Sequence, residues 1–135
     1  MNLTIDTFAW IEILRGTARG KAARLRIESA DRSLTPSVVL AEFAAACHRD
    51  GFTDDVILGE LAAIREASDI VPIDASIALG AAHAMTELRE SARVRKLGLP
   101  GLVDSIVLAT ARSERASILT GDPHFDALPE TIWIG

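Results

Sequence analysis

Asp6, Glu42, Asp104 and Asp122 are the residues of this 135-residue chain whose type and spacing most directly suggest chemistry. Each follows a strand-like run closely or opens a helix-like one. Carboxylates gathered at one place repel, and at least one must keep its proton unless a cation compensates. Asp104 poses the problem most sharply. It lies among Leu102, Val103, Ile106, Val107 and Leu108, with no lysine or arginine three or four positions away, and an aspartate in an apolar helix is costly to bury alone. A divalent ion supplies the missing charge. All-oxygen ligation suits Mg²⁺ or Mn²⁺, whereas zinc would call for a Cys or His cluster. Cys47 is the only cysteine, and His48 and His83 have no nearby metal-ligand spacing. Taken singly, Asp6 and Asp122 also fit helix-cap or turn roles, and Glu42 fits a solvated first-turn acid. It is their convergence that needs explaining.

Convergence depends on the elements that carry them. Short β-like runs are expected at 2–5, 33–36, 70–73, 116–120 and 131–134. Helical patterns fall between them, at 7–15, 18–30, 38–48, from 53 or 54 onward, from 75 onward and at 102–112. Ser37 and Asp74 are placed to cap helices. Residues 91–101, with Arg93, Arg95, Lys96, two glycines and a proline, read as a loop or a broken helix end, and 122–128 as a turn with a short helix. Strands alternating with helices predict a parallel sheet covered on both faces. In such a sheet the C-terminal strand ends and the helix starts share one edge, where ligands bind. All four acids map to that edge.

Composition bounds the rest. Hydrophobic residues make up 49% and charged residues 24%, which excludes disordered and fibrous classes, and the length suits a single domain over residues 1–135. One cysteine excludes an internal disulfide framework, and no apolar run approaches a membrane span. A reducing, cytoplasmic setting is expected. The net charge of −5 argues against coating nucleic acid through the overall field, and six aromatics without a tyrosine argue against a base-stacking platform. GxGxxG and P-loop motifs are absent. A receiver domain would need paired acids after the first strand and a lysine at a late strand end, but the only lysines are Lys21 and Lys96.

Four blocks, taken in order, resemble the PIN-domain family: Ile5-Asp6-Thr7 with Trp10-Ile11-Glu12; Thr35-Pro36-Ser37 through Leu40-Ala41-Glu42; Val103-Asp104-Ser105 through Ala109; and Leu119-Thr120-Gly121-Asp122-Pro123-His124-Phe125. The subgroup they most resemble is the VapC-type toxins of toxin–antitoxin pairs. The resemblance implies a three-layer α/β/α sandwich with a mainly parallel sheet of four to five strands. It also implies a Mg²⁺- or Mn²⁺-dependent ribonuclease. By position, Asp6 and Asp104 match the principal metal ligands, Glu42 and Asp122 complete the acidic quartet, and Thr120 matches a hydroxyl residue that supports the first aspartate. Ser105 and Gly121 depart from the commoner residues at their positions. Neither removes a carboxylate.

Arg89, Arg93, Arg95 and Lys96 precede Asp104 and are the candidate RNA-binding residues. Arg15, Arg19, Lys21, Arg24 and Arg26 form a second basic stretch, read chiefly as an exposed helical face. His124 reads as a turn residue or a phosphate contact, Cys47 as a core residue, and Trp10 and Trp133 as core or interface residues. Leu14, Leu25, Ile27, Ile57, Leu61 and Ile64 read either as ordinary core residues or as apolar surface beyond the core's needs, and periodicity alone does not separate the two. In the family such a surface makes a homodimer and receives the apolar helix of a cognate antitoxin. Two other roles stay open: RNA processing without an antitoxin, or a binding module acting in an antitoxin–DNA complex.

Overall fold

A computed structural model describes residues 1–135. In chain order the elements are β1 (Asn2–Ile5), α1 (Thr7–Arg15), α2 (Ala18–Ser29), β2 (Arg32–Pro36), α3 (Ser37–Arg49), α4 (Asp54–Ala67), β3 (Asp69–Val71), α5 (Ala75–Val94), α6 (Leu102–Ser113), β4 (Ser117–Thr120), a 3₁₀ turn at Pro123–Phe125, and β5 (Thr131–Trp133). The five strands form one sheet in the order β3-β2-β1-β4-β5, and every pairing is parallel. The architecture is the expected three-layer α/β/α sandwich.

Strand alternation divides the core. Leu3 and Ile5 register with Ser33 and Leu119 and point to one face, while Thr4, Leu34 and Ile118 point to the other. Trp10 of α1 donates from Nε1 to Thr35 Oγ1 at 3.2 Å, which sets α1 on the Leu3 face. Right-handed crossovers then put α1 to α4 on that face and α5 with α6 on the opposite one, where α6 packs over β1, β2 and β4. Leu3, Ile5, Phe43, Leu88, Leu108, Ile118, Leu119 and Phe125 are fully buried. Trp10 is buried with them, while Trp133 stays half exposed.

Local chemistry explains most boundaries. Thr17, Thr53 and Asp74 cap α2, α4 and α5 by accepting from the amides of Gly20, Val56 and Ile77. The α1–α2 corner is close-packed: a Cβ on Gly20 would lie 2.1 Å from the Glu12 carbonyl oxygen. Two expectations need correcting. Ser37 is the first residue of α3 and not its cap; Pro36 holds the cap position without a side-chain bond, because β2 runs directly into the helix. The helix expected to fail near Ser91 continues to Val94. It stops where Lys96 takes a left-handed conformation (φ 58°) and the Leu97 amide donates back to the Ala92 carbonyl at 2.8 Å.

Candidate functional site

The sheet order reverses at β1, with β2 on one side and β4 on the other, so the C-terminal end of β1 opens onto a crevice. Asp6 sits there, 3% exposed, as the first residue beyond the strand. Its amide continues the ladder, donating to the Leu119 carbonyl at 3.2 Å. Thr120, the last residue of β4, donates from Oγ1 to Asp6 Oδ2 at 2.8 Å and accepts from the Asp122 amide at 3.0 Å. One hydroxyl therefore fixes both Asp6 and the turn carrying Asp122.

Asp104 lies in the first turn of α6, where it lines the cleft and also reaches back to accept from the amide of the cap residue Gly101 at 3.3 Å. Asp122 caps the 3₁₀ turn by accepting from the His124 amide at 2.9 Å. Glu42 projects from the second turn of α3. Asp6, Glu42, Asp104 and Asp122 all line one cleft of about 580 Å³, so four elements remote in sequence bring the four expected acids together.

Their electrostatics carry the mark of this crowding. Burial, reinforced by repulsion from Asp104 and Asp122, pushes Asp6 up to about 7, although the Thr120 hydroxyl pulls the other way. Burial and then repulsion from Asp122 and Glu42 raise Asp104 to about 6, against the pull of His124. At neutral pH the cluster strains against its own charge.

The residues fit an oxygen-liganded divalent ion. Asp6 and Asp104 each commit one carboxylate oxygen to a hydrogen bond from the chain, and Asp122 commits Oδ1 to His124; none of the second oxygens is bonded by a side chain. Ligand atoms of Asp104, Asp122 and His124 lie within 4.8 Å of one another, a group that includes neither Asp6 nor Glu42, and both ring nitrogens of His124 are engaged by Asp122 and the Gly98 carbonyl. Thr7 Oγ1, buried on the same cleft wall, has no hydrogen-bond partner within the chain. It suits the water shell that a hard cation keeps.

His124 plays a larger part than a turn histidine. Its Nδ1 lies 3.0 Å from Asp122 Oδ1 and its Nε2 lies 2.6 Å from the Gly98 carbonyl oxygen. Two acceptors call for two N–H donors, which is the imidazolium form. Burial opposes that charge, but the Gly98 carbonyl and Asp122 prevail and hold its pKa above the usual value. His124 thus ties the α5–α6 loop to the 3₁₀ turn.

Arg95 makes a second tie there, which alters its expected role. It donates to the Pro123 carbonyl at 2.9 Å and pairs with Asp126 at 3.7 Å. Arg93 and Lys96 are exposed, Arg89 is part-buried with Nε unpartnered, and none of these four basic residues lines the acidic cleft. The cations that do line it, beside His124, are Arg15 and Arg49, and Glu12 is a further buried acid on its wall. Phe8, Ile11, Glu12 and Arg15 on α1, like Glu42, Ala45, Ala46 and Arg49 on α3, recur at one-face spacing. Extending the stripe from Glu42 would have found Arg49 in the sequence. Gly121 is explained as well: a Cβ there would come within 2.3 Å of the Phe8 ring, so a bulkier residue would disturb the cleft wall.

A parallel five-stranded α/β sheet with carboxylates converging at its switch point defines a class of protein. The family model of the PIN domain matches residues 3–130, and the chain belongs to that family. No curated protein matches the sequence. Among solved structures, VapBC2 from Rickettsia felis, bound to a DNA fragment from its promoter, superposes with a TM-score of 0.72 at 18% identity, over 98% of this chain and 97% of that one. VapC20 from Mycobacterium tuberculosis, described as a sarcin-ricin-loop-cleaving toxin, gives 0.71 at 20% identity, over 94% and 95%. VapBC-1 from nontypeable Haemophilus influenzae gives 0.71 at 16% identity, over 98% and 96%.

Proposed function

We propose that this protein is a metal-dependent ribonuclease that hydrolyses RNA phosphodiester bonds and acts as the toxin of a type II toxin–antitoxin pair. The observation that carries the reading is the cleft at the end of β1, where Asp6, Glu42, Asp104 and Asp122 meet and two of them are raised toward neutrality by burial and mutual repulsion. Membership of the PIN family and the fold shared with VapBC structures support it. So does the RNA-cleaving description of one neighbour.

Asp6, Asp104 and Asp122 would hold Mg²⁺ or Mn²⁺ through their uncommitted oxygens, while Thr120 keeps Asp6 and the Asp122 turn in place. When bound, such an ion lowers the pKa of its water and offsets charge on the phosphoryl oxygens. Glu42, on the α3 side of the cleft, would ligate the ion itself or orient the attacking water and take its proton. Attack by water leaves a 5′-phosphate and a 3′-hydroxyl and does not use the RNA 2′-hydroxyl.

A second cavity of about 240 Å³ lies between α1–α2 and α3–α4, lined mainly by apolar residues such as Trp10, Ile27, Phe43 and Ile64, with Arg24, Glu28 and Glu60 beside them. Its apolar lining suits the hydrophobic face of an antitoxin segment. The chain would act in the cytoplasm as a homodimer, free or in complex with that antitoxin; no helix is long and apolar enough to cross a membrane.

The test is cleavage of a total-RNA pool with Mg²⁺, with Mn²⁺ and with EDTA, alongside Asp6→Asn and Asp104→Asn, with the RNA ends mapped. Metal-dependent cuts bearing 5′-phosphates and lost in both variants are expected. Cyclic 2′,3′-phosphate ends, or cutting unaffected by EDTA, would overturn the mechanism.

A further inference from the structure

Away from the four acids the cleft is lined by Arg15, Arg49 and Asp50. Helices α1 and α3 follow neighbouring parallel strands, so they run side by side in the same direction away from the switch point. The cleft follows the groove between them. On α3 it is bordered by Glu42, Ala45, Ala46 and Arg49, one face of the helix, with two alanines as a low wall between an acid and a base. Glu42 and Arg49 are seven positions apart, which is about 10 Å along the helix axis. Arg15 ends α1 beside them.

The charges at that end are arranged unequally. Asp50 follows Arg49 directly and is its nearest carboxylate in sequence, yet it is taken by Arg15 at 3.0 Å. Arg49 has no ion pair within the chain. The Arg15–Asp50 pair thus leaves the Arg49 guanidinium unneutralised at the mouth of a groove that leads to the carboxylates. A guanidinium takes a phosphate through paired N–H donors.

We infer that Arg49 binds a backbone phosphate of single-stranded RNA neighbouring the scissile one, with the strand lying along the groove between α1 and α3, and that Arg15 keeps it available by holding Asp50. The assignment rests on the ribonuclease reading and adds the direction in which substrate leaves the site. Arg49 is a positioning residue for the strand and takes no part in bond cleavage. It also supplies a cation facing the cleft, which Arg95, engaged with Pro123 and Asp126, does not.

The experiment is steady-state cleavage of a defined RNA oligonucleotide by the wild-type chain, Arg49→Ala and Arg49→Lys, over a range of salt concentrations. Arg49→Ala should raise KM about tenfold, as loss of one charged contact does, with kcat within twofold. The slope of log affinity against log salt should fall by about 0.7, the value for one phosphate contact on a single strand. Arg49→Lys should restore the slope and most of KM. An unchanged KM and slope would place Arg49 at a protein partner or merely at a helix end, and would overturn the assignment. So would a fall in kcat alone. A wild-type chain that cuts no RNA would overturn the ribonuclease reading itself, a failure seen before any variant is compared.

Discussion

Asp6→Asn should stabilise the metal-free protein while abolishing cleavage. Asp6 is 3% exposed and its carboxyl is raised from 3.8 to about 7 by burial and by its acidic neighbours. An acid whose folded pKa is raised binds its proton more tightly folded than unfolded. Below the unfolded value both states are protonated and nothing is lost. As pH rises from there, the unfolded chain ionises freely while the folded one resists, and stability falls until the folded pKa is passed. The gap between 3.8 and about 7 corresponds to about 4 kcal/mol at pH 8, at about 1.4 kcal/mol per unit. Asparagine removes this penalty; its amide oxygen still accepts from Thr120, and its NH₂ faces the cleft. Thermal melts in EDTA should place Asp6→Asn above wild type by about 12–16 °C at pH 8, taking about 3–4 °C per kcal/mol for this size, with the gap shrinking toward pH 4. Adding Mn²⁺ should raise the wild type more than the variant and narrow the gap. Equal melting at pH 8, or a gap that does not change between pH 5 and 8, would refute the reasoning.

Gly20→Ala should destabilise by about 2 kcal/mol, since the new methyl meets the Glu12 carbonyl and forces α1 and α2 apart; chemical denaturation would show it. Thr4→Val should stabilise by about 1 kcal/mol, because the Thr4 hydroxyl is buried in the central strand without a partner, and a higher midpoint of denaturation is the readout. Arg112→Ala should cost about 1 kcal/mol at low salt and less at high salt. The guanidinium holds both oxygens of Glu87, at 2.7 and 2.9 Å, and Glu130 at 2.8 Å, joining α5, α6 and the approach to β5, but it is part-exposed and screened.

Much of this architecture was legible in the residues alone, for reasons that the structure makes specific. Strands β1, β2 and β4 are short runs with aliphatic or β-branched residues, each closed by a residue with a distinct local role: Asp6, Pro36 and Thr120. Alternation with helices then restricts the acids to one edge. What sequence reasoning missed depends on contacts between remote or irregular segments. Arg95 looked free because its acceptor, the Pro123 carbonyl, lies 28 positions away in a turn. His124 looked ordinary because Gly98 lies 26 positions before it in a loop. Arg15 looked like part of a basic run up to Arg26, yet the corner at Gly16 and Thr17 separates it from α2 and turns it toward Asp50. Ser37 satisfied the composition of a cap, but the direct passage from β2 into α3 left no room for one.

The bond between Thr120 and Asp6 spans 114 positions, and β4 sits beside β1 although nearly the whole chain intervenes. During synthesis this pairing comes late. In a chain extending from the ribosome β1, β2 and β3 emerge first, and Asp6 lacks both its hydroxyl support and its companion at 122 until β4 and the turn after it have followed. Loop closure of this length is also among the slower steps of folding. The cleft is therefore assembled only once β4 has been made, and a chain cut short before β4 would carry the first acids of the site without its geometry.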